Sequence, residues 1–331
     1  MRILVLGAGG IGGTIAGRLV QAGYDVSVCV RRIPNRHTVN LKTEDGVKAI
    51  DVSYVSDWEA DEYDVVIIAV RPNQVETALA HCLGSKGTFV VCQNGLCEPL
   101  VRALVGPDAR VVGAVISWAA NRKEGVIHQT TGGFSTLGSF EGPALTMDDP
   151  VCRLMDCVHP VQLTANLSGV RWSKLALNAA ASALCILVDG HLGRSFINPK
   201  AIFIAMQLIE EVCAASVSAG VNMEPIAGTL DLRDLFYPPK RGRLRKSLSV
   251  IILLTFALGY YRLESSMWRA MKAGELSGMR FLCGPVIEQG TAGVDVRWSQ
   301  AVLDVVHQIE SKTQQWGPKA VSRVYQLAAE V

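Results

Sequence analysis

Gly7-Ala8-Gly9-Gly10-Ile11-Gly12 satisfies GxGxxG and follows directly on the apolar run Arg2 to Leu6. In that setting the pattern has a mechanical meaning. Gly7 permits a tight turn, Gly9 lets a pyrophosphate approach the backbone, and Gly12 allows the following helix to pack closely. The start of that helix, at Gly10 and Ile11, offers free N–H groups and a partial positive charge to phosphate oxygens. If NAD ribose hydroxyls were the target, the second strand would end in a carboxylate. It ends instead Cys29-Val30-Arg31-Arg32. A guanidinium suits a ribose 2′-phosphate through bidentate, charge-assisted bonds. NADP(H) is therefore the expected cofactor, with Arg31 its principal contact; a pair of solvated surface arginines is the competing reading.

A second polar set lies far downstream. Lys174, Asn178 and Ser182 fall at i, i+4 and i+8, one stripe on a helix that otherwise reads Leu, Ala and Cys. A lysine snorkelling from a core helix would give the same pattern. Metal chemistry finds no such support. His37, His81, His128, His159, His191 and His307 are dispersed without ligand spacing, and each reads as a surface or satisfied structural histidine. The nine cysteines contain no CxxC pair and several sit in apolar runs, which fits buried free thiols in a reducing compartment.

The elements that must position these groups change character along the chain. Arg2 to Leu6, Asp25 to Val30, Asp64 to Val70 and Thr88 to Gln93 read as strands buried on both faces. Ile11 to Gln21 and Gln74 to Cys82 have helical periodicity. This alternation predicts a parallel, doubly wound α/β sheet, with extra strands between Val111 and Leu167. Val170 to Leu187, Ala201 to Ala219, Leu248 to Lys272 and Ala301 to Val331 read as helices. The expected organisation is a Rossmann-like NADP-binding domain over 1–167 and an all-helical substrate and dimerisation domain over 168–331. Tyr237-Pro238-Pro239-Lys240-Arg241 reads as a mobile loop.

With 331 residues, 49% hydrophobic and 19% charged, the chain can bury a sizeable core and is not disordered. A net charge of +2 supplies no global field for nucleic acid or an anionic membrane. The start of the chain lacks the pattern of a cleavable signal. The apolar run Leu248 to Tyr261 is too short for the ~20 residues a bilayer requires. It follows a basic stretch, so an interfacial helix is an alternative to a buried one. A cytoplasmic, soluble protein is expected.

Several further markers occur in order: Val70-Arg71-Pro72-Asn73-Gln74 after the fourth strand, Gln93-Asn94-Gly95 after the fifth, Trp172-Ser173-Lys174-Leu175-Ala176-Leu177-Asn178, Glu210-Glu211 and Ser265-Ser266-Met267. With the glycine turn, this set resembles the ketopantoate reductase (2-dehydropantoate 2-reductase) family over nearly the whole chain. The resemblance implies an active site in a cleft between a Rossmann domain and a helical domain, and a homodimer. It implies that Lys174 acts on the substrate's carbonyl oxygen. An ammonium facing a ketone can polarise it and donate a proton as hydride arrives, and partial burial would help by lowering its pKa. By the same resemblance Asn94 positions nicotinamide and substrate, although an ordinary turn residue before Gly95 is a competitor. Arg71 stands where the family usually has a lysine near the cofactor, with Gln74 beside it. Asn178, Ser182, Ser266 and Arg280 fall at substrate positions. Glu210 and Glu211 read as structural rather than chemical.

The resemblance breaks after the double serine. The family's Thr-Glu-Ile-Asp signature is here Ser277-Gly278-Met279-Arg280, and a following asparagine is Cys283. Ser182 stands where the family has a second asparagine. Losing a carboxylate and gaining a guanidinium removes the discrimination that a hydroxyl-binding group provides. The departures argue against pantoate as product. They favour a substrate that lacks the hydroxyl, is larger, or carries an added anionic group for Arg280; a structural ion pair at Arg280 is the alternative. The leading expectation is an NADPH-dependent oxidoreductase of a small oxo or hydroxy acid. An imine reductase or opine-type dehydrogenase, and a non-catalytic NADP-binding sensor, are the other readings.

Overall fold

The computed structural model describes residues 1–226, 231–237 and 243–330. The chain divides into two compact units, Met1–Gln93 with Cys97–Leu167, and Asn94–Leu96 with Ser168–Val331. The first unit opens β1 (Arg2–Leu6), α1 (Gly10–Gln21), β2 (Asp25–Cys29), β3 (Thr38–Thr43), β4 (Gly46–Asp51) and β5 (Ser53–Val55). It continues β6 (Val65–Ile68), α2 (Val75–Ala78), β7 (Thr88–Val91), α3 (Glu98–Val105) and β8 (Arg110–Ile116). Then come β9 (Ala119–Lys123), β10 (Val126–Thr131), β11 (Ser135–Ser139), α4 (Pro150–Asp156) and β12 (Val161–Leu163).

Among the described residues, the main sheet has eight strands in the order β12-β11-β8-β7-β6-β1-β2-β5. From β5 through β8 neighbouring strands pair in parallel, and β11 returns antiparallel to β8. Both faces are covered. Ile3 and Val5 enter one apolar core with Ile15 and Leu19 of α1, while Leu4 and Leu6 enter another with Val75 and Val101. Strands buried on two sides need unbroken apolar sequence, which is why this sheet was legible. Strand β1 has β2 on one side and β6 on the other, so the winding reverses there, the place where open α/β sheets bind ligands.

A second sheet, β4-β3-β10-β9, lies against α1; β9 and β10 fall among the extra strands expected between Val111 and Leu167, whereas β3 and β4 have no counterpart in the expected elements. Val65–Ile68 is the sixth strand in chain order and Thr88–Val91 the seventh, where the fourth and fifth were expected. Close approach of this sheet depends on missing side chains. A Cβ at Gly13 would lie 2.3 Å from Ile127 Cδ1, and one at Gly17 3.0 Å from Leu41 Cδ1. Glycine costs a helix about 1 kcal/mol relative to alanine, so its repetition along one face of α1 marks a packing surface. The expected helix over Gln74–Cys82 shrinks to the end of a 3-10 turn and the single turn of α2, with Leu79 and Cys82 buried in the turns beyond it.

The second unit is helical: α5 (Leu167–Leu187), α6 (Pro199–Ser218), α7 (Leu232–Phe236), α8 (Arg243–Gly259), α9 (Ser266–Lys272), α10 (Arg280–Glu288), α11 (Arg297–Glu310) and α12 (Pro318–Glu330). The runs over Leu248–Lys272 and Ala301–Val331 each resolve into two helices. The first breaks after Gly259 and the second after Glu310, resuming at Pro318 behind Gly317, whose φ is +82°. Among the described residues only α6 is long and apolar enough to cross a membrane, and 61% of its most apolar window is buried in the protein. The loop expected at Tyr237–Arg241 lies, beyond Tyr237, outside the described residues.

Candidate functional site

In the first unit the glycine turn combines one very tight contact with one open space. Gly7 has φ +100°, and a Cβ at Gly12 would lie 2.0 Å from the Gly7 carbonyl oxygen. Apart from its chain neighbours, no atom of the described residues lies within 4 Å of the place a Cβ would take at Gly9, which is exposed. Gly10 and Ile11 form the first turn of α1. Arg31 follows β2 and Arg71 follows β6, the two strands flanking β1, and both side chains are exposed. Burial, and then the positive charge of Arg31, push the Arg71 guanidinium below its ordinary pKa. Two cations thus share a region beside the turn. Gln74 turns back on its own loop: its Oε1 accepts from the Arg71 backbone N–H at 3.4 Å.

In the second unit α5 carries Lys174 and Asn178 one turn apart. Asn178 Nδ2 donates to Asn94 Oδ1 at 2.9 Å. Asn94 leaves the end of β7 yet packs with the second unit, which its place in the sequence did not signal. Gly95 explains the fit: its φ is +93°, and a Cβ there would lie 2.8 Å from the Phe281 carbonyl oxygen on α10. Burial, and then repulsion from Arg171, push the Lys174 ammonium down to about 8. Arg171, itself buried, is a contributor that sequence reasoning missed. Among the described residues Lys174 makes no hydrogen bond or ion pair. Ser182 lies two turns beyond it on the stripe and is buried.

The remaining candidates divide. Ser266 is exposed at the first residue of α9, and Ser265 does the capping, its Oγ accepting from the Trp268 N–H at 3.0 Å. Arg280 is exposed at the start of α10, its guanidinium 4.7 Å from the centre of the Phe281 ring. Among the described residues it has no ion pair, so the structural-pair alternative finds no partner. Gly278 does leave room, since only Phe281 Cδ2, at 3.8 Å, lies near its missing Cβ. Its φ of +78° is left-handed, so the family's glutamate could stand there only at a cost of roughly 1–2 kcal/mol.

Glu211 has a structural role. Its carboxylate accepts from the Trp298 and Ser299 backbone N–H groups, both at 2.7 Å, and from Ser299 Oγ at 2.6 Å, closing the start of α11. Glu210 takes a long bond of 3.4 Å from Gln207. Among the described residues no group of His, Cys, Asp and Glu could hold a metal ion.

One histidine departs from expectation. His159 is not on the surface: it is 8% exposed, stacks on Trp118 at 4.5 Å between ring centres, and among the described residues its Nε2 has no hydrogen-bond partner. Burial, and then Arg18, hold its pKa down to about 4. A folded-state pKa below the unfolded one makes this ring's contribution complete above pH 6.5 and lost as pH falls from 6.5 toward 4. Between pH 7 and pH 5 the protein should lose about 1–2 kcal/mol from this group. Urea unfolding at the two pH values checks it, because His159→Phe should remove that part of the difference.

A doubly wound sheet with a glycine turn at its switch point, followed by a helical unit, defines the class: a Rossmann-type α/β unit joined to an all-helical one. The family models for ketopantoate reductase PanE/ApbA and for its C-terminal part match residues 3–142 and 166–310. The chain belongs to the ketopantoate reductase family, as a divergent member, and is an oxidoreductase acting on CH–OH/C=O. Similar proteins include a 2-dehydropantoate 2-reductase of Archaeoglobus fulgidus, 22% identical over 318 residues, which cover 94% of this chain and 98% of that one. An uncharacterized oxidoreductase of Bacillus subtilis, YkpB, is 26% identical over 306 residues, covering 87% and 92%. A crystal structure of a PanE/ApbA family ketopantoate reductase from Ralstonia eutropha matches with a TM-score of 0.76 at 22% identity, over 95% of this chain and 100% of that one, and shares the fold.

Proposed function

We propose that this protein is an NADPH-dependent reductase of a small oxo acid, able to run in reverse on the hydroxy acid, and that pantoate is not its specific product. What carries the reading is the group on the second unit: a lysine with an ammonium pKa of about 8, one helical turn from an asparagine bonded to Asn94. The space over Gly9 and the paired cations Arg31 and Arg71 suit a dinucleotide with a 2′-phosphate, with Gly7, Gly9, Gly10, Ile11 and Gly12 at the diphosphate. Bound NADPH supplies the hydride.

Lys174 polarises the ketone oxygen and gives up a proton from Nζ as the alkoxide forms. Its pKa lets it act as acid in one direction and base in the other near neutral pH. Asn94 and Asn178 hold each other and orient the substrate; Ser182 and Ser266 are further substrate positions, and Arg280 serves an anionic group. A cytoplasmic homodimer is part of this reading.

Initial rates with NADPH across a panel of 2-oxo acids, with and without added amines, test it. Turnover of oxo acids alone is expected. Turnover only with amine would favour imine reduction, and tight NADPH binding without any turnover would favour a sensor. Arg31→Ala should cut the preference for NADPH over NADH about tenfold or more, read as the ratio of kcat/KM values. An unchanged ratio removes Arg31 from the 2′-phosphate.

A further inference from the structure

The second sheet reaches the dinucleotide turn itself. Arg122 on β9 donates from Nη1 to the Ala8 carbonyl oxygen at 3.0 Å. A Cβ at Gly10 would lie 2.0 Å from the Ala120 carbonyl oxygen, so β9 presses directly on the first turn of α1. Two turns along the helix, Arg18 Nη2 donates to Gln129 Oε1 on β10 at 3.2 Å. The β9–β10 hairpin is thus laced to α1 at two levels, and its upper tie ends on the peptide between Ala8 and Gly9. Arg122 is exposed, and among the described residues it has no carboxylate partner. A guanidinium has five N–H donors in a fixed fork, and the bond to Ala8 uses one of them. Among the described residues the others make no hydrogen bond, and the peptide that anchors this guanidinium adjoins Gly9, where a phosphate group would stand close to backbone.

We infer that Arg122 is a positioning residue for the dinucleotide: it fixes the Ala8 peptide and presents its spare donors to the diphosphate. The inference rests on the cofactor reading above and adds a division of labour to it. Arg31 would read the 2′-phosphate, which NADPH alone carries. Arg122 would read the diphosphate, which NADPH and NADH share, through charge-assisted bonds. It therefore sets affinity for both dinucleotides without choosing between them.

Calorimetry on the full chain, with NADPH, NADH and adenosine 2′-monophosphate as probes, tests this. Arg122→Ala should weaken NADPH and NADH by the same factor, tenfold or more. It should leave the binding of adenosine 2′-monophosphate and the melting temperature of the free protein unchanged. Arg122→Lys should recover part of the loss. NADPH affinity in R122A equal to that of the wild type overturns the inference. So does an equal loss for adenosine 2′-monophosphate, which would mark general damage to the turn. A wild-type protein that binds neither dinucleotide overturns the cofactor reading, and this inference with it; the R122A outcomes sink the inference alone.

Discussion

Lys174→Ala should lower kcat for the preferred oxo acid by about 10²–10⁴, the range that a positioned proton donor contributes. NADPH affinity should change by less than about threefold, because nothing in the turn that would hold the nucleotide is altered. Lys174→Arg is the sharper variant. It keeps a cation but cannot release a proton near neutral pH, so it should stay within about tenfold of the alanine variant. The pH dependence gives a second check. With the ammonium pKa at about 8, reduction should be fastest below that value and fall as pH rises through it. Oxidation of the hydroxy acid should rise over the same interval, because there the neutral amine is the active form. Profiles of kcat/KM against pH that lack this limb, or a lysine-free variant that retains it, would exclude the role.

Glu211→Ala should be the most destabilising single change in the helical unit. It leaves two backbone N–H groups and one hydroxyl without their acceptor, in a place where water enters poorly. Unsatisfied buried donors cost about 1–3 kcal/mol each, so a loss of about 3–5 kcal/mol in urea unfolding is expected. Burial outweighs the three bonds and pushes this carboxyl up to about 7. Glu211→Gln keeps one acceptor oxygen and nearly the same shape, and should fall between wild type and alanine. If the alanine variant unfolds at the wild-type midpoint, the carboxylate is not what secures the start of α11.

How much of this was legible in the sequence depended on the kind of force at work. The parallel strands announced themselves because burial on both faces leaves no polar alternation to confuse. The glycine turn did so because its spacing has few uses between a strand and a helix. Half of the second sheet stayed hidden for the opposite reason: β3 and β4 are half-exposed, with Lys42, Glu44 and Lys48 scattered through and between them, and look like surface loop. A clue existed in Gly13 and Gly17, which the GxGxxG pattern does not require. The Asn94–Asn178 bond could not be read at all, since it joins residues 84 positions apart and depends on a left-handed glycine tucked under Phe281. His159 was misjudged because composition cannot distinguish a ring in water from one trapped against an indole.

The three residues Asn94–Leu96 have a practical implication for recombining relatives of this chain. A chimera spliced once, after Leu167, would take Asn94 from one parent and Asn178 and Phe281 from another. Two splice points more, one on each side of the tripeptide, would keep those partners of common ancestry.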